Sequence, residues 1–179
     1  MKAVPAMFRG ALAFSLVSTA AFAVWAFGAG WFAGRGGEAG MYAACCAAFL
    51  LFSGLLLRPA LRWGGWARFY AEFVPAFLSY AVAWCAVYFL AGDGAGEWIA
   101  SLAGCAAFAA VLAAMRRGWR VYLISVTVLF AGHSAGYFAG RHVCYTSLHS
   151  TASELLWGTL YGLGFGAGTG YVISRMPRS

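Results

Sequence analysis

Residues 10–34 read GALAFSLVSTAAFAVWAFGAGWFAG, an unbroken run without Asp, Glu, Lys or Arg. A helix rises 1.5 Å per residue, so this run is long enough to cross the roughly 30 Å of hydrocarbon in a bilayer. Five further runs without charge follow, at 39–57, 73–92, 98–115, 121–140 and 155–174. All are continuously apolar and lack the period-two alternation of a barrel strand, which favours helices over a β-barrel. The composition agrees. Of 179 residues, 63% are hydrophobic and 9% are charged, against about 25% charged in an ordinary soluble domain. The sequence predicts an all-α integral membrane protein: one domain over 1–179 with six transmembrane helices.

The net charge of +7 invites a nucleic-acid reading, but the placement of the charges opposes it. Lys2, Arg9, Arg58, Arg62, Arg68, Arg116, Arg117, Arg120, Arg175 and Arg178 fall at one set of helix ends, and only Arg35 and Arg141 at the other. This asymmetry is the positive-inside pattern of a multi-pass protein of the cell membrane, with both termini cytoplasmic. The basic end then lies against anionic headgroups, and no nucleic acid is expected as a partner. Glu38, Asp93, Glu97 and Glu154 mirror the pattern on the outer side, and Glu72 alone lies near the inner one. Lys2 and Arg9 before an apolar run, with Ala21-Phe22-Ala23 after it, resemble a leader and its cleavage site. The run continues to Gly34, however, so it reads as the first spanning helix.

An internal repeat appears at an offset of 59 residues. Arg9 matches Arg68, Phe14 matches Phe73, Trp25 matches Trp84, and Gly37-Glu38 matches Gly96-Glu97. Cys46-Ala47-Ala48-Phe49 matches Cys105-Ala106-Ala107-Phe108, and Arg58 matches Arg117. A weaker third copy pairs Ala29-Gly30-Trp31-Phe32-Ala33-Gly34-Arg35 with Ala135-Gly136-Tyr137-Phe138-Ala139-Gly140-Arg141. The expectation is three tandem helical hairpins, 9–58, 68–117 and 120–175, in pseudo-threefold arrangement. Glu38, Glu97 and Glu154 each open the second helix of a hairpin, where an acid complements the helix dipole. The third outer loop, about 140–153, reads as longer and more polar than the other two, a hint of function.

Aromatic residues mark both interfaces, as in an aromatic belt. Trp25 and Trp84 lie deeper, as packing anchors or pore-lining groups whose indole N–H needs an interior partner. Gly158, Gly162, Gly166 and Gly170 recur every four residues in the last helix, with Gly164 and Gly168 beside them. Such a stripe lets another backbone approach closely. It leaves open whether the partner is a helix of this chain or of a second subunit.

All three histidines lie between 133 and 149. His133, Tyr137 and Arg141, spaced by four, share one face of the fifth helix. A polar stripe is costly against lipid and should turn inward. With Glu154, these residues are the expected solute-facing site. The competing reading has His133 fixing the packing and Arg141 pairing with Glu154. His142, Cys144 and His149 are weak metal candidates, lacking a standard zinc spacing. The same residues contain the types needed for a Cys–His nucleophile. No catalytic residue and no cofactor is assigned. Cys45, Cys46, Cys85 and Cys105 read as small apolar fillers inside spans, and Cys144 as an outer thiol.

The tandem-hairpin pattern resembles, in architecture, the small six-helix channels for urea, amides and acetate. The acetate family's Asn-Pro-Ala-Pro-Leu-Gly-Leu motif is absent, and the N-terminus reads Val4-Pro5-Ala6-Met7-Phe8. Size and topology are also similar to the substrate-binding subunits of energy-coupling-factor vitamin transporters. No residue role carries over from either resemblance. The functional expectation is a channel, transporter or substrate-capture subunit for a small solute or ion. The alternative is an accessory or scaffold subunit of a larger membrane complex, with a membrane-embedded enzyme third. The expected partners are the lipid bilayer and either further copies of the chain or a larger membrane complex.

Overall fold

The computed structural model describes residues 2–147 and 150–177. The chain is all-helical. We number six helices: α1 (Ala3–Ala33), α2 (Gly37–Leu61), α3 (Trp66–Ala91), α4 (Ala95–Arg116), α5 (Trp119–Thr146) and α6 (Thr151–Arg175). The first five are long and apolar enough to cross a membrane. α6 has the length but is diluted by its glycines.

The helices extend past the charge-free runs. α1 takes in Arg9, and α5 continues through Arg141 to Thr146. Charge is no helix stop, because a long basic side chain can reach outward from a helical position. The long outer loop expected at 140–153 is therefore not found. Its first half is the last turns of α5, and only 147–150 connect α5 to α6. Ser150 caps α6 by accepting from the Ser153 amide, at 3.3 Å. No proline interrupts residues 141–146, and Arg141 is anchored from within the helix, as described below.

α2 carries one irregularity with a local cause. Pro59 has no amide hydrogen, and its ring crowds the carbonyl four residues back. The ladder before it widens into a π turn over Ser53–Leu57, in which the Arg58 amide donates to Ser53. The helix then closes with Arg62 in the left-handed region, at φ 51°.

Packing centres on α6. It runs along α1 on one side and α5 on the other, its two most extensive contacts. α4 packs on α5, α3 on α4, and α2 on α1. The order across the bundle is therefore α2, α1, α6, α5, α4, α3. The glycines explain the close approach. A Cβ built at Gly162 would lie 2.6 Å from the Phe14 carbonyl oxygen. At Gly166 and Gly170 it would strike the carbonyl oxygens of Gly10 and Ala6, and at Gly158 it would meet the Phe22 ring. The partner of this stripe is thus α1 of the same chain. Gly164 and Gly168 face the other way, onto Gly132 and Leu129 of α5. On α5, Gly132, Gly136 and Gly140 return the contact, against Gly164, Leu160 and Trp157.

The end members α2 and α3 approach chiefly near the basic end. The Tyr70 hydroxyl and Trp66 of α3 close over Gly54 in the π turn. Above this, the rings of Phe49 and Phe77 lie 5.2 Å apart. Between Gly37 and Phe52, α2 buries only Ala48.

Candidate functional site

The polar face expected on α5 exists and points into the bundle. His133 is fully buried. Its Nε2 is 2.6 Å from the Tyr80 hydroxyl of α3, which accepts from Tyr161 of α6 at 3.2 Å. One turn along, the Tyr137 ring stacks on His133 with centroids 5.6 Å apart. The Tyr137 hydroxyl donates to Glu97 Oε1 of α4 at 3.1 Å. One turn further, Arg141 Nε reaches the same oxygen, also at 3.1 Å, while its guanidinium covers the Tyr145 ring. Two hydrogen-bonded groups, joined by the His133–Tyr137 ring stack, therefore form one polar chain from the C-terminal end of α5 into the middle of the bundle.

The carboxylate in this chain is Glu97 of α4. Arg141 pairs with Glu97, whereas the competing reading of the sequence paired it with Glu154. Glu97 is only 2% exposed, while the guanidinium beside it is partly open. An acid in the first turn of α4 looked like an ordinary dipole complement, which hid this role. The signal that was available is the register of Tyr137 and Arg141 on α5, which calls for a shared acceptor. Glu154 sits in the first turn of α6, half-buried.

Of the weak metal candidates, His142 and Cys144 do not converge. With residues 141–146 helical, His142 and Cys144 point to different sides. His142 is exposed, while Cys144 is fully buried and accepts from the Ser153 hydroxyl at 3.8 Å. His149 lies outside the described residues. Among the described residues, no group of three metal-ligating side chains comes together. The same separation removes a Cys144–His142 nucleophile pair. Cys144 belongs to the bundle interior, so it is not an outer thiol.

Beside the polar chain lies a groove of about 210 Å³. It opens between α2 and α3, from mid-helix at Phe49 and Phe77 toward the end of α3 away from the basic residues. Phe49 and Phe77 form its base, Ala81, Trp84 and Cys85 one wall, and Phe22 of α1 the other. Tyr80, Tyr137 and Tyr161 contribute ring faces to its back, while their hydroxyls are engaged in the polar chain behind. The groove therefore offers aromatic and aliphatic surface backed by a buried hydrogen-bond network.

Trp25 meets Trp157 and Phe22 edge-on, at 6.0 and 5.9 Å, as a packing anchor. Trp84 stacks on Tyr88 at 4.9 Å and borders the groove. The expectation that its buried indole N–H finds a partner fails: among the described residues, Trp84 Nε1 has none.

Fold and site together define a helical bundle with membrane-spanning dimensions, an apolar side groove and a polar chain behind it. Comparison with family models, curated proteins and solved structures gives no match.

Proposed function

We propose that the chain is a multi-pass membrane protein that captures a small, uncharged, largely apolar solute from the surrounding bilayer. The observation that carries this reading is the groove between α2 and α3. A dry cavity of about 150 Å³ accepts benzene, so the groove's 210 Å³ suits a single aromatic ring or a short alkyl chain. Its lining offers no charge to recognise an ion. The polar chain behind it has a structural part in this reading, holding the three tyrosine rings in place from the far side. Capture is favoured over passage because the middle of the bundle is filled by fully buried Phe14, Phe108, Phe165, Leu129 and His133. In this reading His133, Tyr137 and Arg141 shape the site, and Tyr137 alone of the three borders the solute.

The basic end faces the cytoplasm in this proposal, on the strength of the ten-to-two division of basic residues. The three hairpins are proposed to descend from one repeated unit. The deep tryptophans support this, since each meets an aromatic ring of the third hairpin: Trp25 meets Trp157, and Trp84 meets Tyr137. Their flanking acids have diverged, Glu38 being exposed and Glu97 buried. An accessory-subunit role is the second reading, favoured by the small share of α2 buried within the chain.

The test uses purified protein in lipid nanodiscs. Dibromobenzene is titrated while tryptophan emission is followed, because Trp84 borders the groove. The expected result is saturable quenching that disappears in Ala81→Phe, where the added ring fills the groove. Quenching of equal amplitude and affinity in wild type and Ala81→Phe would sink the capture reading. Co-extraction of the chain with one other protein at fixed ratio would then favour the accessory role.

A further inference from the structure

The groove has a length and an outer end that narrow down what it takes. Its α3 wall is built by Phe77, Tyr80, Ala81, Trp84 and Cys85, spaced so that they form one stripe along that helix. From Phe77 to Cys85 is eight residues, which at 1.5 Å each makes a slot about 12 Å long. The groove's volume of about 210 Å³, spread over that length, gives a cross-section of about 18 Å². Carbon atoms keep about 4 Å from their neighbours, so a single row of methylene groups needs about 16 Å². Of the two shapes that the volume admits, the slot therefore fits the alkyl chain better than the ring. At about 1.2 Å per bond of an extended chain, it holds about ten chain atoms.

The stripe continues past the groove, toward the end of α3 away from the basic residues. Tyr88 lies one turn beyond Trp84 and stacks on it, with centroids 4.9 Å apart. The Tyr88 hydroxyl donates to Asp93 Oδ1 at 3.0 Å, in the turn between α3 and α4. Asp93 is exposed, whereas the tyrosine hydroxyls at the back of the groove are engaged inside the bundle. A carboxylate has about four lone-pair sites on its two oxygens, so Asp93 accepts a further donor while Tyr88 stays bound. The apolar slot thus leads to an acceptor. A head group that donates is held there, and one that only accepts is repelled.

We propose that the groove takes a single-chain aliphatic alcohol, with an alkyl chain of about ten carbons in the slot and a terminal hydroxyl that donates to Asp93. This inference rests on the capture reading and names its solute class. The hydroxyl is the smallest uncharged head that donates, which keeps the solute within that reading. Asp93 gains a binding role from outside the groove's own lining.

The test follows displacement of dibromobenzene from the full chain in lipid nanodiscs, read as recovery of quenched tryptophan emission. The competitors are 1-decanol and decyl methyl ether, compared at equal mole fraction in the lipid. The ether has the same chain, and its oxygen accepts but cannot donate. In the wild type, 1-decanol should displace the quencher at about tenfold lower mole fraction than the ether, as fits a hydrogen bond to a charged group. Asp93→Ala removes an exposed side chain and should bring the two competitors to the same midpoint. Saturable quenching of that variant by dibromobenzene shows that its groove is intact, and the wild-type comparison stands whatever becomes of the variant. If dibromobenzene gives no saturable quenching of the wild type, the capture reading fails and takes this inference with it. If it quenches but the alcohol displaces it no better than the ether, or the alcohol keeps its advantage in Asp93→Ala, this inference is overturned and the capture reading stands.

Discussion

Replacing Gly166 by alanine tests the central contact of the bundle with a single methyl group. An ideal Cβ at this position lies 2.7 Å from Phe14 Cβ and 2.8 Å from the Gly10 carbonyl carbon, and closer still to the Gly10 oxygen. Carbon atoms in good contact sit about 3.5–4.0 Å apart, so α1 and α6 must separate by about 1 Å. Overpacking of this kind costs about 1–3 kcal/mol. Backbone atoms cannot rotate aside, which puts Gly166 near the upper figure. Alanine returns about 0.5–1 kcal/mol through its better helix propensity, leaving a net loss of about 2 kcal/mol. Gly30→Ala is the matched control. It also lies within a helix, but nothing stands within 4 Å of its Cβ. Only the propensity gain of about 0.5–1 kcal/mol applies there. The same substitution should therefore change sign between the two sites. Reversible unfolding in mixed dodecyl sulfate and maltoside micelles, followed by circular dichroism, measures both. If Gly166→Ala is as stable as Gly30→Ala, α1 and α6 do not meet as described, and the order of helices must be redrawn.

The buried polar groups and the charge pattern give three further expected outcomes. Tyr80→Phe should cost about 1–3 kcal/mol, because the His133 nitrogen and the Tyr161 hydroxyl both lose their shared partner; the same unfolding assay reads it, and a neutral result would remove Tyr80 from the network. Arg141→Gln should cost about 1 kcal/mol or less, since its ion pair is partly open to solvent, whereas Glu97→Ala should cost more because Tyr137 loses its acceptor as well; a reversed order would contradict the assigned pairing. A cysteine placed at Gly94 should react with an impermeant thiol reagent on intact cells, and one at Gly64 should not; the opposite pattern would invert the proposed orientation.

The helix count was legible because uncharged runs of this length, repeated along so short a chain, have too much apolar surface to bury in one another. Helix ends were less legible. Charge marks where a span leaves an apolar medium and not where its hydrogen bonding stops, so the turns after Gly140 looked like loop. The placement of α6 between two neighbours was half visible. The stripe from Gly158 to Gly170 pointed to one close backbone partner. Gly164 and Gly168, together with Gly132, Gly136 and Gly140, carried the second contact, which emerges only when both helices are considered together. The candidate site was legible on one helix only. His133, Tyr137 and Arg141 form a local pattern, but their partners Tyr80, Tyr161 and Glu97 come from α3, α6 and α4, and no spacing rule relates them. Glu72 was visible as the lone acid at the basic end, with Arg68 four residues before it on the same helix, yet Trp63 and Arg116 reach it only through the fold.

The helix that joins α1 to α5 is synthesised after both of them. A ribosome delivers α1 well before α6, and the stretch of it around Ala6, Gly10 and Phe14 fits against residues more than 140 positions downstream. Until α6 emerges, that face and the Gly132–Gly136 face of α5 have no counterpart. The nascent chain therefore passes through a stage in which two glycine-lined faces stand bare. A stop codon anywhere before residue 151 would remove the helix that fills both. Quality control that senses bare glycine-lined grooves would thus read the arrival of α6.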